Sequence, residues 1–246
     1  MAVSNVFYAP GEQRAAKVND LFAAIARRYD LLNDLQSFGL HRHWKRQVVE
    51  LAAVRPGQRA LDVCCGTGDI ALALSQQGAE VTGLDFSRAM LDIAETRRLK
   101  NTQSDTANPK FIQGDAQQLP FPDNSFDAVT VGYGLRNLAS WETGLREMAR
   151  VAKPGGRLVV LEFGKPDNAM WRAVYFGYLK ICVPVFGLVF CRNAGAYGYI
   201  LESLKHYPAQ RAVAAKMRDL GLVNVRIENL LGGAMSINYG EKPALA

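Results

Sequence analysis

The sequence predicts an α/β fold with a mostly parallel sheet of seven strands and helices on both faces. Short apolar runs alternate with helical segments of about ten residues through most of the chain, which is typical of a parallel sheet covered on both sides. A glycine-rich turn at residues 66–68 follows the first of these runs. Two further runs flank Gly232-Gly233 near the carboxyl end and predict a hairpin that adds an antiparallel strand.

The composition is that of one large globular domain. The 246 residues suffice for a substantial core, and 49% of them are apolar. The net charge of +6 is mild and scattered, so nucleic acid is not expected as a partner. The cysteines lack the spacing of a metal site and the amino terminus lacks a secretion signal, which predicts a reducing, cytoplasmic compartment and no bound metal.

The amino-terminal part is expected to form a helical cap. Residues 1–16 are interpreted as a flexible leader. Between residues 17 and 54, apolar side chains recur at intervals of three and four, which predicts two helices separated by a break at Ser37-Phe38-Gly39. We therefore assign residues 17–56 to the cap and residues 57–246 to the main domain.

The main domain alternates between predicted strands and helices, and a turn at Pro154-Gly155-Gly156 precedes the fifth strand. The predicted strands are residues 59–64, 80–84, 110–113, 127–131, 157–162, 223–229 and 234–239. The predicted helices are residues 69–77, 87–100 and 141–151. In such a sheet, ligands bind beyond the carboxyl ends of the parallel strands.

One apolar segment, residues 170–192, interrupts this alternation. It contains Arg172 and Lys180, and its longest uncharged stretch, residues 181–191, is shorter than the ~20 residues of a membrane span. Two interpretations remain open. The segment forms either a buried helix pair that caps the domain or an apolar lid, at residues 168–200, that covers a hydrophobic substrate.

The turn after the first strand, LDVCCGTGDIA at residues 61–71, predicts a ligand site. Gly66 and Gly68 allow the backbone to approach a ligand, because neither has a Cβ atom. Asp85 is expected to end the second strand, where a carboxylate can accept hydrogen bonds from both hydroxyls of a ribose. The spacing also fits a dinucleotide fold, so NAD is one candidate cofactor.

Two carboxylates in this turn favour S-adenosylmethionine over NAD. Asp69 begins the next helix, which it is expected to cap, and its charge would repel a pyrophosphate bound there. Asp62 precedes the glycines and can bind an amino-acid ammonium group. After the third strand, Asp115 with Ala116 can contact an adenine amino group. S-adenosylmethionine has an ammonium group and an adenine but no phosphate, so it meets all of these conditions.

Five blocks of the sequence resemble the signature blocks of the UbiE-type methyltransferases, the demethylmenaquinone and polyprenyl-methoxy-benzoquinol C-methyltransferases. In chain order they are YDLLNDLQSFGLHRHWKR, LDVCCGTGD, GDAQQLPFPDNSFDAVTVGYGLRN, VAKPGGRLVVLEFGKP and AYGYILESLKHYP. The resemblance extends from residue 18 to residue 239. It implies the class I, Rossmann-like methyltransferase fold with S-adenosylmethionine as the cofactor.

The resemblance also assigns cofactor contacts to individual residues. The contacts of the family correspond here to Thr67, Asp85, Asp115 and Ala116. The glycine loop departs from the family pattern at Cys64, which stands where a typical methyltransferase has a glycine. Close approach of the backbone to the cofactor is therefore not expected at that position.

The GYGLRN block places Arg136 at the carboxyl end of the fourth strand. The family methylates a ring carbon of a reduced quinone, and this carbon becomes nucleophilic when the neighbouring phenol, with a pKa of ~10, ionises. The resemblance implies that the Arg136 cation stabilises the phenolate, while Asn137 and Tyr29 orient the ring or a water molecule. The alternative for Arg136 is a structural salt bridge. The three histidines, His41, His43 and His206, are interpreted as surface residues.

The predicted function is methylation of demethylmenaquinol to menaquinol. The alternatives are methylation of 2-polyprenyl-6-methoxy-1,4-benzoquinol or of both quinols, an NAD-dependent oxidoreductase, and a scaffold without catalytic activity. The polyprenyl tail is expected beneath the apolar lid. The segment at residues 170–192 could also make peripheral contact with the inner face of a membrane, and a homodimer is left open.

Overall fold

The computed structural model describes residues 13–26, 29–100, 108–191 and 195–244. The strands are Arg59–Val63 (β1), Glu80–Asp85 (β2), Lys110–Gln113 (β3), Phe126–Gly132 (β4), Ala152–Phe163 (β5), Val223–Leu230 (β6) and Met235–Glu241 (β7). The helices are Gln13–Ile25 (α1), Tyr29–Ser37 (α2), Leu40–Ala52 (α3), Asp69–Ser75 (α4), Arg88–Lys100 (α5), Trp141–Val151 (α6), Ala169–Cys191 (α7), Gly195–His206 (α8) and Gln210–Asp219 (α9).

The strands form one seven-stranded sheet in the order β3-β2-β1-β4-β5-β7-β6. The first five strands in this order are parallel, and β7 is antiparallel to both β5 and β6. The order reverses between β1 and β4, which is where open α/β sheets form a ligand crevice. The predicted fold, including the antiparallel hairpin, is confirmed.

Apolar cores lie on both faces of the sheet. Along β1, Leu61 and Val63 belong to one core and Ala60 to the other, because side chains of a strand alternate between faces. Helices α3 and α4 pack into the core that contains Ala60. Helices α6 to α9 pack into the core that contains Leu61, so the prediction of helices on both faces is confirmed.

The amino-terminal region differs from the prediction in its helix count. It forms α1, α2 and α3 rather than two helices. The expected break is present, because Phe38 and Gly39 have left-handed φ angles of 52° and 76°. The predicted leader is wrong for residues 13–16, which belong to α1, and its residues 1–12 lie outside the described part of the chain.

The turn predicted at Pro154-Gly155-Gly156 is a bulge within β5. Phe126 of β4 pairs with Ala152, whereas the next paired residue of β4, Ala128, pairs with Arg157. The intervening residues of β5 therefore bulge away from β4. Gly155 has a φ of 77° there, and its N–H donates to the Lys242 carbonyl at 2.8 Å.

The apolar segment forms one long helix, α7, which is followed by α8. Tyr175, Leu179 and Val183 recur at intervals of four and are buried in the core. Met170 and Ile181 lie on the exposed side of the helix. None of the described helices is both long enough and apolar enough to cross a membrane.

Candidate active site

Three cavities meet at the carboxyl ends of β1 and β4. The apolar cavity, of about 310 Å³, lies between the cap helices and helices α7 and α8. The crevice pocket, of about 80 Å³, lies along the ends of β1, β2 and β4, and the loop pocket, of about 20 Å³, lies beside the glycine loop. Tyr29 and Tyr133 line all three cavities. These two rings therefore mark the junction of the site.

The crevice pocket brings together four of the predicted cofactor residues, Gly66, Asp85, Asp115 and Ala116. The Asp85 carboxylate accepts hydrogen bonds from the backbone N–H groups of Gly66 and Ser87, at 2.9 Å and 2.8 Å. Burial raises the pKa of Asp85, although these bonds oppose the shift. A buried carboxylate fixed in this way can still accept ribose hydroxyls with its remaining lone pairs. The predicted contacts of Asp85 with the cofactor stay a prediction.

Thr67 and Gly68, the other two predicted cofactor residues of the glycine loop, lie outside the crevice pocket. Thr67 lines the loop pocket, and its hydroxyl donates to Asp30 of α2 at 2.9 Å. Gly68 has a φ of 85°, and a Cβ atom there would lie 2.8 Å from the Phe111 ring. Both the left-handed turn and the packing against Phe111 therefore require a glycine at position 68. Neither residue lines the crevice pocket, so their predicted contacts with the cofactor stay predictions.

Asp69 does not cap α4, contrary to the prediction, because the N-cap is Gly68. The Asp69 carboxylate instead forms ion pairs with Lys45 of α3 and Arg97 of α5. Although burial favours the neutral acid, these two cations lower the pKa of Asp69 to about 2. The Asp69 carboxylate is therefore ionised near neutral pH, and the two cations offset its negative charge, so the expected repulsion of a pyrophosphate at the start of α4 stays a prediction.

Asp62 lies in the wall of the loop pocket and is 1% exposed. It faces Thr130 across the β1–β4 pair and accepts a hydrogen bond from that hydroxyl at 2.8 Å. Burial raises the pKa of Asp62 to about 7. A cation such as an ammonium group in the loop pocket would favour the ionised carboxylate.

Arg136 lies in a 3₁₀ turn, Leu135–Asn137, that begins three residues after the end of β4, and it is 5% exposed. One guanidinium nitrogen, Nη1, lies 2.8 Å from the Glu162 carboxylate of β5, and the Arg136 backbone N–H donates to the same carboxylate at 3.1 Å. The guanidinium also stacks 4.6 Å from the Phe163 ring centre. The structural salt bridge is therefore present. Arg136 also lines the apolar cavity, and its Nε–H has no acceptor among the described residues, so the catalytic role stays a prediction.

Tyr29 and Asn137 differ in what they can do. Burial raises the pKa of Tyr29 to about 12, so its hydroxyl is a hydrogen-bond donor near neutral pH. Asn137 lines the crevice pocket rather than the apolar cavity. Its amide oxygen accepts from the Tyr199 hydroxyl, and its amide nitrogen donates to the Tyr133 carbonyl at 3.3 Å. Asn137 therefore fixes the Tyr199 side chain and the backbone at Tyr133.

The sequence analysis missed Tyr133 as a site residue. Tyr133 has a left-handed φ of 64°, which is uncommon for a bulky side chain and is often found at functional sites. Lys45 Nζ lies 6.0 Å from the centre of its ring. Cys64, which replaces the expected glycine, has a φ of 54°. Gly134 makes room for it, since a Cβ atom on Gly134 would lie 2.3 Å from the Cys64 Cβ.

The prediction that His41 lies on the surface is wrong. His41 is 3% exposed, lines the apolar cavity and forms a hydrogen bond of 2.9 Å from Nε2 to Asp34. His43, two residues further along α3, is exposed, and so is His206 on α8, as predicted. The polar neighbours of His41 in the sequence gave no sign of its burial.

Solved structures with this fold include several methyltransferases. One is the putative methyltransferase in a complex with the Trm112 activator of Haloferax volcanii, with a TM-score of 0.63, 20% identity, and coverage of 93% of this chain and 99% of that one. Another is a possible histamine N-methyltransferase of Thermotoga maritima, also with a TM-score of 0.63 and 20% identity, covering 91% of this chain and 98% of that one. These similarities confirm the class I methyltransferase fold.

Curated relatives and a family profile agree on the family. A protein of Azotobacter vinelandii, named ubiquinone/menaquinone biosynthesis C-methyltransferase UbiE, is 42% identical over 95% of this chain and 93% of its own length. A protein of the same name from Ectopseudomonas mendocina is 43% identical over 95% of this chain and 92% of its own length. The profile of the ubiE/COQ5 methyltransferase family matches residues 11–242. The chain therefore belongs to the ubiE/COQ5 methyltransferase family, which confirms the predicted family and its cofactor, S-adenosylmethionine.

Proposed function

We propose that this protein transfers the methyl group of S-adenosylmethionine to a ring carbon of a polyprenylated quinol. The observation that carries the proposal is the shared wall of the crevice pocket and the apolar cavity, which Tyr29 and Tyr133 line from both sides. A cofactor in one cavity and an apolar acceptor in the other would meet at these rings. The names of the relatives from Azotobacter and Ectopseudomonas support a quinol as that acceptor.

The cofactor would be held by residues of the crevice and loop pockets. Asp85 would accept the ribose hydroxyls, and Asp115 with Ala116 would contact the adenine, which is supported by their common position in the crevice pocket. Asp62, in the loop pocket, would pair with the ammonium group. The bound cofactor supplies an already activated methyl group, so the remaining task of the protein is to activate the ring carbon and hold it in line with that group.

The apolar cavity suits a prenylated ring with hydroxyl groups. Its wall is mostly aliphatic and aromatic, which matches an isoprenoid tail. Three of its polar groups, the hydroxyls of Tyr133 and Tyr175 and Nε–H of Arg136, are buried without a hydrogen-bond partner in the described part of the chain. A quinol hydroxyl could satisfy these groups. The Arg136 guanidinium would then stabilise negative charge as the ring oxygen ionises.

Demethylmenaquinol is the first choice of ring, and 2-polyprenyl-6-methoxy-1,4-benzoquinol is the alternative, alone or together with it. Transfer of label from methyl-labelled S-adenosylmethionine to each reduced acceptor in detergent tests both. Label in one product identifies the ring, and label in both means that the cavity accepts either. The oxidised quinones serve as controls, because they lack the hydroxyl that activates the ring. A protein that binds the cofactor but labels neither quinol would contradict the proposal.

Peripheral membrane contact belongs to the same proposal, because the tail of such a substrate resides in a bilayer. Helix α7 has a row of apolar side chains that are 49–77% exposed, with the exposed cations Arg172 and Lys180 among them. The residues of this row are Met170, Val174, Ile181, Val185 and Leu188. Val174 also lines the apolar cavity, so the row adjoins the predicted path of the tail.

Flotation with vesicles of anionic phospholipid tests this contact. The unmodified protein is expected to float with the vesicles, and a variant with Ile181→Glu and Leu188→Glu is expected to remain in the dense fraction. Val223→Glu is the matched control, since Val223 is an exposed apolar residue on β6. An unmodified protein that does not float would contradict the membrane contact but not the methyl transfer.

A further inference from the structure

His41 lines the apolar cavity, and one of its two ring nitrogens has no hydrogen-bond partner among the described residues. His41 is the second residue of α3, and its Nε2 lies 2.9 Å from Asp34 Oδ1 on α2. Its Nδ1 is buried and has no hydrogen-bond partner in the described part of the chain. Leaving such a polar atom unsatisfied costs free energy, so an unpaired nitrogen in a cavity wall points to a ligand group.

The partners of Asp34 fix which nitrogen carries the hydrogen. Arg42 donates to Asp34 from Nε at 2.8 Å and from Nη2 at 2.6 Å. The Arg42 hydrogen bonds are the main reason that the pKa of Asp34 falls to about 2, so this carboxylate is ionised and can only accept. His41 Nε2 must therefore carry the hydrogen. In the neutral imidazole the free lone pair is then on Nδ1, on the side away from Asp34.

His41 is the best proton acceptor in the cavity wall. Among the described lining residues, none is an aspartate, a glutamate or a lysine. Arg136 remains protonated at all relevant pH values, and amides and aliphatic hydroxyls are not basic. Burial raises the pKa of each of the lining tyrosines, Tyr29, Tyr133, Tyr175, Tyr178 and Tyr199.

The charged groups around His41 keep the imidazole uncharged at neutral pH, and Asp34 stabilises its protonated form. Burial and then the Lys45 cation lower the pKa of His41 below its usual 6.5, against the opposing effects of Asp34 and Asp69. At neutral pH the imidazole is therefore uncharged. Once it takes a proton, the Asp34 carboxylate stabilises the imidazolium, as in other carboxylate–histidine pairs.

We infer that His41 accepts the hydroxyl proton of the acceptor ring and that Asp34 is its positioning residue. The inference rests on the proposed function. The O–H proton moves to Nδ1, and the ring carbon beside the resulting phenolate forms a bond to the methyl carbon while the bond from methyl carbon to sulfur breaks. The proton on that ring carbon then leaves to water and restores the aromatic ring. The imidazolium returns its proton to the oxygen, so the net reaction releases one proton.

The first test compares His41→Gln with His43→Gln, a matched control on the same helix. His41→Gln keeps a donor near the position of Nε2 but removes the basic nitrogen. It is expected to lower kcat by ~10²-fold or more, with the dissociation constant of S-adenosylmethionine, measured by calorimetry, within about 2-fold of the unmodified protein. His43→Gln is expected to leave both quantities unchanged. A kcat for His41→Gln within about 3-fold of the unmodified value overturns the inference.

The second test combines an NMR measurement, which does not depend on turnover, with a pH profile of kcat. In ¹⁵N NMR spectra of the imidazole at pH 8, Nε2 of His41 is expected to be protonated and Nδ1 unprotonated, and a protonated Nδ1 in the neutral ring overturns the inference. Asp34→Asn removes the carboxylate that raises the His41 pKa. It is expected to move the acid limb of the kcat profile to lower pH. An unshifted limb with a uniform loss of kcat would make Asp34 structural.

The proposed function and this inference fail in different ways. An unmodified protein that methylates no quinol overturns the proposed function and, with it, the role of His41. An unmodified protein that methylates a quinol while His41→Gln retains its turnover overturns the role of His41 alone.

Discussion

The crevice pocket and the apolar cavity share two tyrosines but are built in opposite ways. In the crevice pocket, Asp85 ends β2 and Asp115 lies just after β3, and backbone N–H groups of loop residues donate hydrogen bonds to both carboxylates. In the apolar cavity, helices provide most of the wall, and Nδ1 of His41 and the hydroxyl of Tyr133 lack hydrogen-bond partners among the described residues. One side is thus preorganised by the backbone. In the apolar cavity, a bound ligand would have to supply the missing hydrogen-bond partners.

The largest effect is expected at the pair of Arg136 and Glu162, which lies behind the apolar cavity. Glu162→Leu leaves the Arg136 cation buried without its carboxylate and is expected to lower the free energy of unfolding by about 3–5 kcal/mol. Urea denaturation measures this loss. Adding Arg136→Met removes the second charge and is expected to restore most of the stability.

The same double variant separates structure from catalysis at Arg136. If the guanidinium stabilises the phenolate, turnover of the stable double variant remains ~10²-fold low while its affinity for S-adenosylmethionine is nearly normal. A double variant that regains both stability and turnover would show that the salt bridge is the whole role of Arg136.

A pH-dependent effect is expected at Asp62, in the wall of the loop pocket. Its pKa is about 7 in the folded protein against 3.8 for the ordinary group, so its contribution to stability is present below pH 3.8 and is lost as the pH rises to about 7. The loss amounts to about 4 kcal/mol. The difference in free energy of unfolding between Asp62→Asn and the unmodified protein should therefore grow in favour of the variant over this window. Asp123→Asn, at an exposed position, is the control.

The substitution Asp85→Ala tests the crevice pocket. Removing a carboxylate that accepts from two ribose hydroxyls is expected to weaken S-adenosylmethionine binding by ~10²-fold, as calorimetry would measure. Asp92→Ala, an exposed residue on α5, is the control. Equal affinities of the two variants would remove Asp85 from the cofactor site.

The smallest effect is expected where the two walls join, at Gly134. Gly134→Ala places a methyl group 2.3 Å from the Cys64 Cβ and is expected to lower stability by about 1–3 kcal/mol. Cys64→Gly in the same chain removes the clash and should recover the loss, as thermal denaturation would show. If stability is not recovered, the contact with Cys64 is not the cause of the loss in Gly134→Ala.

The sequence predicted the crevice pocket better than the apolar cavity for a physical reason. Asp85 ends a strand and Gly66 and Asp115 lie just after one, and parallel strands bring their carboxyl ends together, so local patterns suffice. His41 is followed by Arg42 and His43, and only the packing of α2 against α3 buries it beside Asp34. No local pattern contains that information.

Two further features of the site depend on three-dimensional context. Glu162 lies 26 residues from Arg136 in the chain, and the two meet only because β4 and β5 pair in a particular register. The left-handed φ angles of Cys64 and Tyr133 run against the usual preference of such residues, and the surrounding structure has to impose them. Their conformations were therefore beyond prediction from residue type.

Helix α2 connects the two sides of the site through consecutive residues. Tyr29 lines both larger cavities, and Asp30 accepts from Thr67 of the glycine loop at 2.9 Å and pairs with Arg97 at 3.2 Å. A methyl donor and an acceptor that each favour the same position of α2 must strengthen each other's binding. Thermodynamic linkage makes this gain reciprocal, so the factor by which the acceptor tightens binding of the donor equals the factor by which the donor tightens binding of the acceptor.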